Sequence, residues 1–312
     1  MLTLLLVITL AQVFGAVPAN MFAPNSNLVS QQRGSAKIRV AATPENTLPG
    51  PASFRLKRDR GLLVDTWVNG SGPYVFAIDT GAGGTIISGR VAAELHILQP
   101  TGRTISLAGM SGRETSAHEA VVKSLAVGQP QNLLVNHSVV VGNGLPNDID
   151  GILDPTEAYA PFGYVIDFPH HELTAFDSTL NPLSIRNPPA EGAVVQWLMQ
   201  AGSRRPFVRL EDGRLVLLDT GSAFGLAISG RSAAADERAP RRTIDIGGGS
   251  VSSRRVAPTN VSIGTLTLRS VPTDVLSGTE KGAPALLGRD ALYPFKMVFD
   301  PVHKLIAISP AD

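Results

Sequence analysis

Apolar residues in this chain gather into short runs, and the runs are broken by residue pairs that favour tight turns. Leu62 to Val68 is one run; it turns at Asn69-Gly70 and returns through Tyr74 to Ile78. A second begins at Pro206-Phe207-Val208-Arg209-Leu210, turns at Asp212-Gly213 and returns through Leu215 to Leu218. Asn-Gly and Asp-Gly between apolar runs predict β-hairpins, because both residues tolerate positive φ. With 31 Gly and 23 Pro to supply further turns, the pattern predicts an all-β chain with few short helices.

The two hairpins open two copies of one longer pattern. Each returning run leads straight into Asp-Thr-Gly, at Asp79-Thr80-Gly81 and at Asp219-Thr220-Gly221. Ile86-Ile87-Ser88-Gly89-Arg90 then answers to Ala227-Ile228-Ser229-Gly230-Arg231. The Gly-rich Ala108-Gly109-Met110-Ser111-Gly112 answers to Ile246-Gly247-Gly248-Gly249-Ser250. Both copies close alike: Gly151-Ile152-Leu153-Asp154 and Tyr164 to Asp167 in one, Leu286-Leu287-Gly288-Arg289 and Lys296 to Asp300 in the other. The shared order predicts an internal duplication, with one copy over residues 54–180 and the other over 206–312. A connection over 181–205 contains Asn187-Pro188-Pro189, and Ala193 to Met199 within it reads as one more short strand.

The triplets carry the chemistry. An acid placed straight after a buried type of strand is costly, because an unpaired carboxylate loses its hydration there. Two such acids followed by the same two residues suggest carboxylates meant to meet, which is one way to build an acid–base dyad.

Two Asp-Thr-Gly triplets, each followed by a Gly-rich hairpin and an apolar-apolar element, resemble the aspartic proteases. The resemblance covers about residues 60–312 and is to a compact bacterial, two-lobed type with retropepsin-like lobes fused in one polypeptide. It implies a pepsin-like or retropepsin-like fold in which Asp79 and Asp219 form the catalytic pair, one from each lobe. Thr80 and Thr220 would bond to the opposite lobe's backbone, and Gly81 and Gly221 would leave room and offer N–H groups. Ser222 would support the second acid. Gly109, Met110 and Gly112, with Gly247, Gly248 and Gly249, would form flaps over an extended polypeptide substrate. The implied reaction is hydrolysis of a peptide bond by an endopeptidase: water is activated between the two acids, with no covalent intermediate, metal or cofactor.

Three positions depart from the family pattern. Ala82 stands where pepsin-like enzymes carry Ser or Thr, whereas Ser222 keeps a hydroxyl. A hydroxyl donor stabilises a carboxylate, so its absence beside Asp79 predicts a raised pKa for the pair and an optimum less acidic than pepsin's. Asp154 stands where Gly is expected, although Gly288 is present in the second copy, and it could cap the turn that starts at Pro155 or disturb the loop's support. Neither flap segment contains Tyr.

The remaining composition narrows the classes. A net charge of +1 and no basic run with interleaved aromatics give no basis for a nucleic-acid partner. The absence of Cys excludes a disulfide framework, thiolate metal sites and a Cys nucleophile. His96, His118, His137, His170, His171 and His303 show no metal-ligand spacing, and no Gly-x-Ser-x-Gly elbow occurs. Leu2 to Phe14 is apolar and Ala19 offers a small residue for cleavage, although no Lys or Arg precedes the run. Residues 1–19 are therefore read as a signal peptide, too short for an integral span, and the protein as exported to the periplasm or medium, or retained by that segment. Residues 20–53 are read as a linker; the alternative is a propeptide whose Lys37, Arg39, Arg55, Lys57 and Arg58 cover the acids. The connection is long enough for the two copies to pair within one chain, which predicts a monomer. The alternative function is a non-catalytic peptide- or protein-binding member of the same fold.

Overall fold

The computed structural model of the chain describes residues 48–97, 104–200, 203–230 and 240–311. The proposed signal peptide, most of residues 20–53, and Lys37, Arg39 and Arg231 lie outside the described residues.

The fold is all-β, with three short helices among the described residues. The first half comprises β1 (Ala52–Lys57), β2 (Gly61–Val68), β3 (Ser71–Ile78), β4 (Ile86–Ser88), α1 (Gly89–Glu94), β5 (Thr104–Ala108), β6 (Glu114–Val121), β7 (Leu125–Val127), β8 (Ser138–Gly142), β9 (Gly151–Leu153), α2 (Pro155–Ala158), β10 (Gly163–Asp167) and β11 (Glu172–Phe176). The second comprises β12 (Ala193–Gln196), β13 (Phe207–Arg209), β14 (Leu215–Asp219), β15 (Leu226–Ser229), β16 (Arg241–Ile244), β17 (Ser250–Ile263), β18 (Leu266–Ser277), β19 (Ala285–Gly288), α3 (Arg289–Leu292), β20 (Phe295–Asp300) and β21 (Leu305–Pro310).

The turn chemistry fixes both opening hairpins. Asn69 and Gly70 have φ of 55° and 79°, and β2 returns as β3 with Thr66 facing Tyr74. Gly213 has φ of 83°, and β13 returns as β14 with Phe207 facing Leu217. In each half a strand from the end of the repeat then lies parallel to the triplet-bearing strand. Ile78 pairs with Leu153 across β3 and β9, and Asp219 pairs with Gly288 across β14 and β19. The same two strands, β9 and β19, pair antiparallel with β4 and β15 on their other edges. Each triplet therefore turns out of a strand that is held within its sheet, not at a loose edge.

The halves are joined by backbone pairing. In the order β12-β21-β20-β10-β11-β1, one antiparallel sheet takes strands from both halves. At its centre Tyr164 faces Phe299, Val165 faces Val298 and Ile166 faces Met297, so the register repeats on exchanging the halves about Val165–Val298. The rings of Tyr164 and Phe299 stack at 4.4 Å, with Trp197 edge-on to Phe299 at 5.9 Å. One apolar cluster runs through both halves and this sheet. The matching turns end alike: the Nδ1 atoms of His170 and His303 contact Asp167 and Asp300 at 2.9 Å and 2.8 Å.

Candidate active site

The two triplets meet at the junction of the halves. Phe76, Ala77 and Ile78 before the first, and Val216, Leu217 and Leu218 before the second, are buried and anchor the loops from below. Asp79 N–H donates to Leu153 O at 2.9 Å, so β9 supports the first loop directly. The threonines lock the loops to each other. Thr80 Oγ1 donates to Leu218 O at 2.6 Å and accepts from Thr220 N–H at 3.1 Å. Thr220 Oγ1 donates to Ile78 O at 3.0 Å and accepts from Thr80 N–H at 3.1 Å. These four bonds all cross between halves, and all lie in the interior, where each is electrostatically stronger than in water.

Asp79 and Asp219 are fully buried, and each carboxylate lies over the other half's glycine. A Cβ on Gly81 would come within 2.8 Å of Asp219 Cγ, and one on Gly221 would strike the Asp79 carboxylate. Glycine is required at both places by this approach. Asp79 Oδ1 accepts from Gly81 N–H at 2.8 Å, and Asp219 Oδ1 accepts from Ser222 N–H at 3.1 Å. The Oδ2 atom of each acid has no protein donor, yet the two carboxyl groups lie close enough to bond to each other when one is protonated. Burial and then the charge of Asp219 push the Asp79 pKa well above the usual carboxylate range. Burial also raises Asp219, opposed by its bond to Asp79, the Ser222 N–H and the charge of Arg289. A pair so placed shares a proton and titrates as a unit.

Residues 64–153, which include Asp79, match the family model of aspartyl proteases. The match covers less than half of the chain and supports an aspartyl protease family, and with it a protease in general. No curated protein matches the chain.

Around this protease-type pair, two expectations from sequence change. The Ser222 hydroxyl does not donate to Asp219. Ser222 Oγ instead accepts from Phe224 N–H at 3.3 Å, and it is the backbone N–H of Ser222 that reaches the acid. The Ala82–Ser222 difference therefore gives no hydroxyl to either carboxylate, and burial is what raises the pair. The second change concerns the flaps. Gly112 N–H donates to Gly109 O at 3.0 Å and Gly248 N–H to Asp245 O at 2.9 Å, with Gly112 and Gly248 both at positive φ. Gly109 thus corresponds to Asp245 and Met110 to Ile246, two places out of the register suggested by the glycine runs. The positive-φ glycine defines the turn, whereas a run of glycines has no side chain to show where the turn falls.

The turns between β5 and β6 and between β16 and β17 touch each other: Gly247 lies against Gly109 and Arg113, Gly249 lies against Ser111, and Arg113 Nη1 donates to Gly248 O at 3.4 Å, while Gly112 packs against Glu280. Their apolar tips cross over. Met110 is buried in a cluster with Phe207, Leu217, Phe224 and Leu286 of the second half. Ile246 is buried in a cluster with Leu63, Ala77, Ile86 and Ile152 of the first. The Asp245 carboxylate binds the tips together, accepting from Ser111 N–H at 2.8 Å and Gly249 N–H at 3.0 Å. Glu280 N–H adds a bond to Met110 O at 2.9 Å. A Cβ on Gly109 would overlap the Asp245 side chain. Gly109→Ala is therefore expected to weaken the tip contact by about 2 kcal/mol and to speed amide exchange at Ser111 and Gly249 roughly 30-fold. Hydrogen exchange read residue by residue checks this.

Asp154 is buried and caps α2, its Oδ1 accepting from Thr156 N–H at 2.9 Å, while its own N–H donates to Thr85 Oγ1 at 3.3 Å. Burial, and then Glu157, push its pKa up to about 7. Asp245, Ile246, Arg205 and Arg289 are the residues of this site that sequence reading missed. The Gly-Arg pair at Gly288-Arg289 was the one available signal, since a cation next to a motif glycine sits beside the triplet.

Proposed function

We propose that this protein is an aspartic endopeptidase with two pseudo-symmetric lobes, active as a monomer after export. The observation that carries the reading is the meeting of two fully buried carboxylates, Asp79 and Asp219, each with an oxygen free of protein donors. In one turnover the ionised acid takes a proton from water as the water oxygen attacks the scissile carbonyl carbon. The protonated acid gives its proton to the carbonyl oxygen. As the resulting diol collapses and the C–N bond breaks, the newly protonated acid gives its proton to the leaving amine while the other acid takes a proton from a diol hydroxyl, so the pair returns to its one-proton state. Extended substrate would lie beneath the two tips, bonded through backbone groups in strand fashion. Met110 and Ile246 must leave the opposite half before that space is open.

The pH dependence follows from burial. The pair works with one proton: activity is lost at low pH when both acids are protonated, and at high pH when both are ionised. Burial raises both acids, which moves this window upward from the usual carboxylate range. Activity on an unfolded protein substrate is expected to peak well above the strongly acidic range, and a statine-type transition-state analogue should abolish it. A profile centred near pH 2, or no cleavage by wild type at any pH, would count against the reading.

A further inference from the structure

Beneath the second triplet lies a buried cation. Arg289 follows β19, and its Nη1 donates to Thr220 O at 2.8 Å and to Gly221 O at 2.9 Å. The side chain also spans the halves. Its Nη2 donates to Arg58 O at 3.4 Å, and its Nη1 lies 3.0 Å from where a Cβ on Gly61 would be. Gly61, at φ of 100°, adopts a backbone that favours glycine and also leaves room for Arg289.

The first half has no arginine at the corresponding place, where Pro155 follows Asp154. The hairpins show which residues correspond between the halves. Leu62 is paired with Ile78, and Pro206 O accepts from Leu218 N–H at 2.9 Å. Leu62 and Pro206 are therefore counterparts, and so are the residues before them, Gly61 and Arg205. Where the first half has Gly61 at this place, against Arg289, the second half has Arg205.

We propose that Arg205, which stands where the first half has Gly61, is a second positioning cation of the acid pair, with Asp154 as a further acidic neighbour. Its surroundings fit that role. Arg205 is 8% exposed, its Nε donates to Ser203 Oγ at 2.9 Å, and its carbonyl accepts from Trp197 Nε1–H at 3.1 Å. The guanidinium stands 5.6 Å from the centre of the Phe207 ring. Its Nη1 is buried without a hydrogen-bond partner, so that part of its charge is offset only through space. The acids acting on it are Asp219, Asp154 and Asp79, against a burial that disfavours the cation. Further out, Glu157 faces Asp154 and Arg204, and Arg289 faces Asp219 from the other side. The cation also accounts for Asp154 in place of glycine. An acid is useful beside Arg205, whereas a Cβ on Gly288 would come within 2.7 Å of Ser222 O.

The role deepens the protease reading, and its kinetic arm rests on that reading. Removing a cation near the pair disfavours the ionised form, so the acid limb of kcat/KM should move up by about one pH unit in Arg205→Gln and Arg205→Met. Arg205→Lys should stay close to wild type. A second arm needs no turnover: the pH dependence of Tm should shift in the Gln and Met variants, and the shift should shrink in a background carrying Asp79→Asn and Asp219→Asn. If wild type cleaves nothing, the protease reading fails while this arm still decides the role of Arg205. A Tm lowered equally at every pH, with the limbs of kcat/KM unmoved, would overturn the proposal and leave Arg205 as a packing residue. Using both Gln and Met guards against one of them failing to fold.

Discussion

Asp219→Asn is expected to reduce kcat/KM on an unfolded polypeptide by about 10³- to 10⁴-fold while raising stability at pH 7, and Asp79→Asn is expected to do the same. The amide cannot take a proton from water, and with one carboxyl gone the pair has no proton to share. The shape is kept: an amide oxygen can still accept from Gly81 N–H at position 79 or from Ser222 N–H at position 219. Stability should move the opposite way from activity. A carboxyl whose folded-state pKa is raised costs the folded state free energy once pH exceeds its unfolded value, and the cost grows as pH rises toward the folded value. The neutral amide removes that cost, about 1 kcal/mol or more for each pKa unit of displacement. Cleavage assays beside thermal melts at pH 7 test both halves of the statement. Full activity in either variant would mean the pair is misassigned, and a large fall in Tm would mean that the loss of activity reflects unfolding.

Arg289→Met is expected to cost about 3–5 kcal/mol of stability. Arg289 is 5% exposed, and its guanidinium satisfies Thr220 O and Gly221 O. Each carbonyl left unpaired costs about 1–3 kcal/mol. The Arg58 carbonyl loses a bond to the other half, and Asp219 loses the cation that favours its ionised form. Methionine fills the space of the stem but replaces none of these. Chemical denaturation followed by tryptophan fluorescence would show a lower midpoint, and Trp197 in the shared sheet core is well placed to report it. A loss below about 1 kcal/mol would show that water replaces the arginine without penalty.

What could be read from sequence was what local chemistry decides. Asn69-Gly70 and Asp212-Gly213 sit between apolar runs, so the hairpins and the all-β class followed from turn preference and strand propensity alone. The twin triplets showed that two acids recur in the same setting, and the structure brings Asp79 and Asp219 together. Ser222 shows where such reading stops: the hydroxyl is present, but whether it points to Asp219 or to Phe224 N–H depends on the path of a loop. The flap register was misjudged because glycines carry no pattern; Asp245 fills the room that Gly109 leaves, and that exchange exists only when the two tips meet. Arg205 and Arg289 lie 84 residues apart and stand at different positions of the repeat, so aligning the copies by motif hides the relationship.

The four threonine bonds have a consequence for a damaged molecule. Thr80 is held by Leu218 and Thr220, and Thr220 by Ile78 and Thr80, so the loop that carries each acid is locked by the other half. A copy in which one half has come apart loses the pair altogether. On the protease reading, such a molecule could be cut by intact neighbours but could not cut them, so the loss of either half ends its own activity.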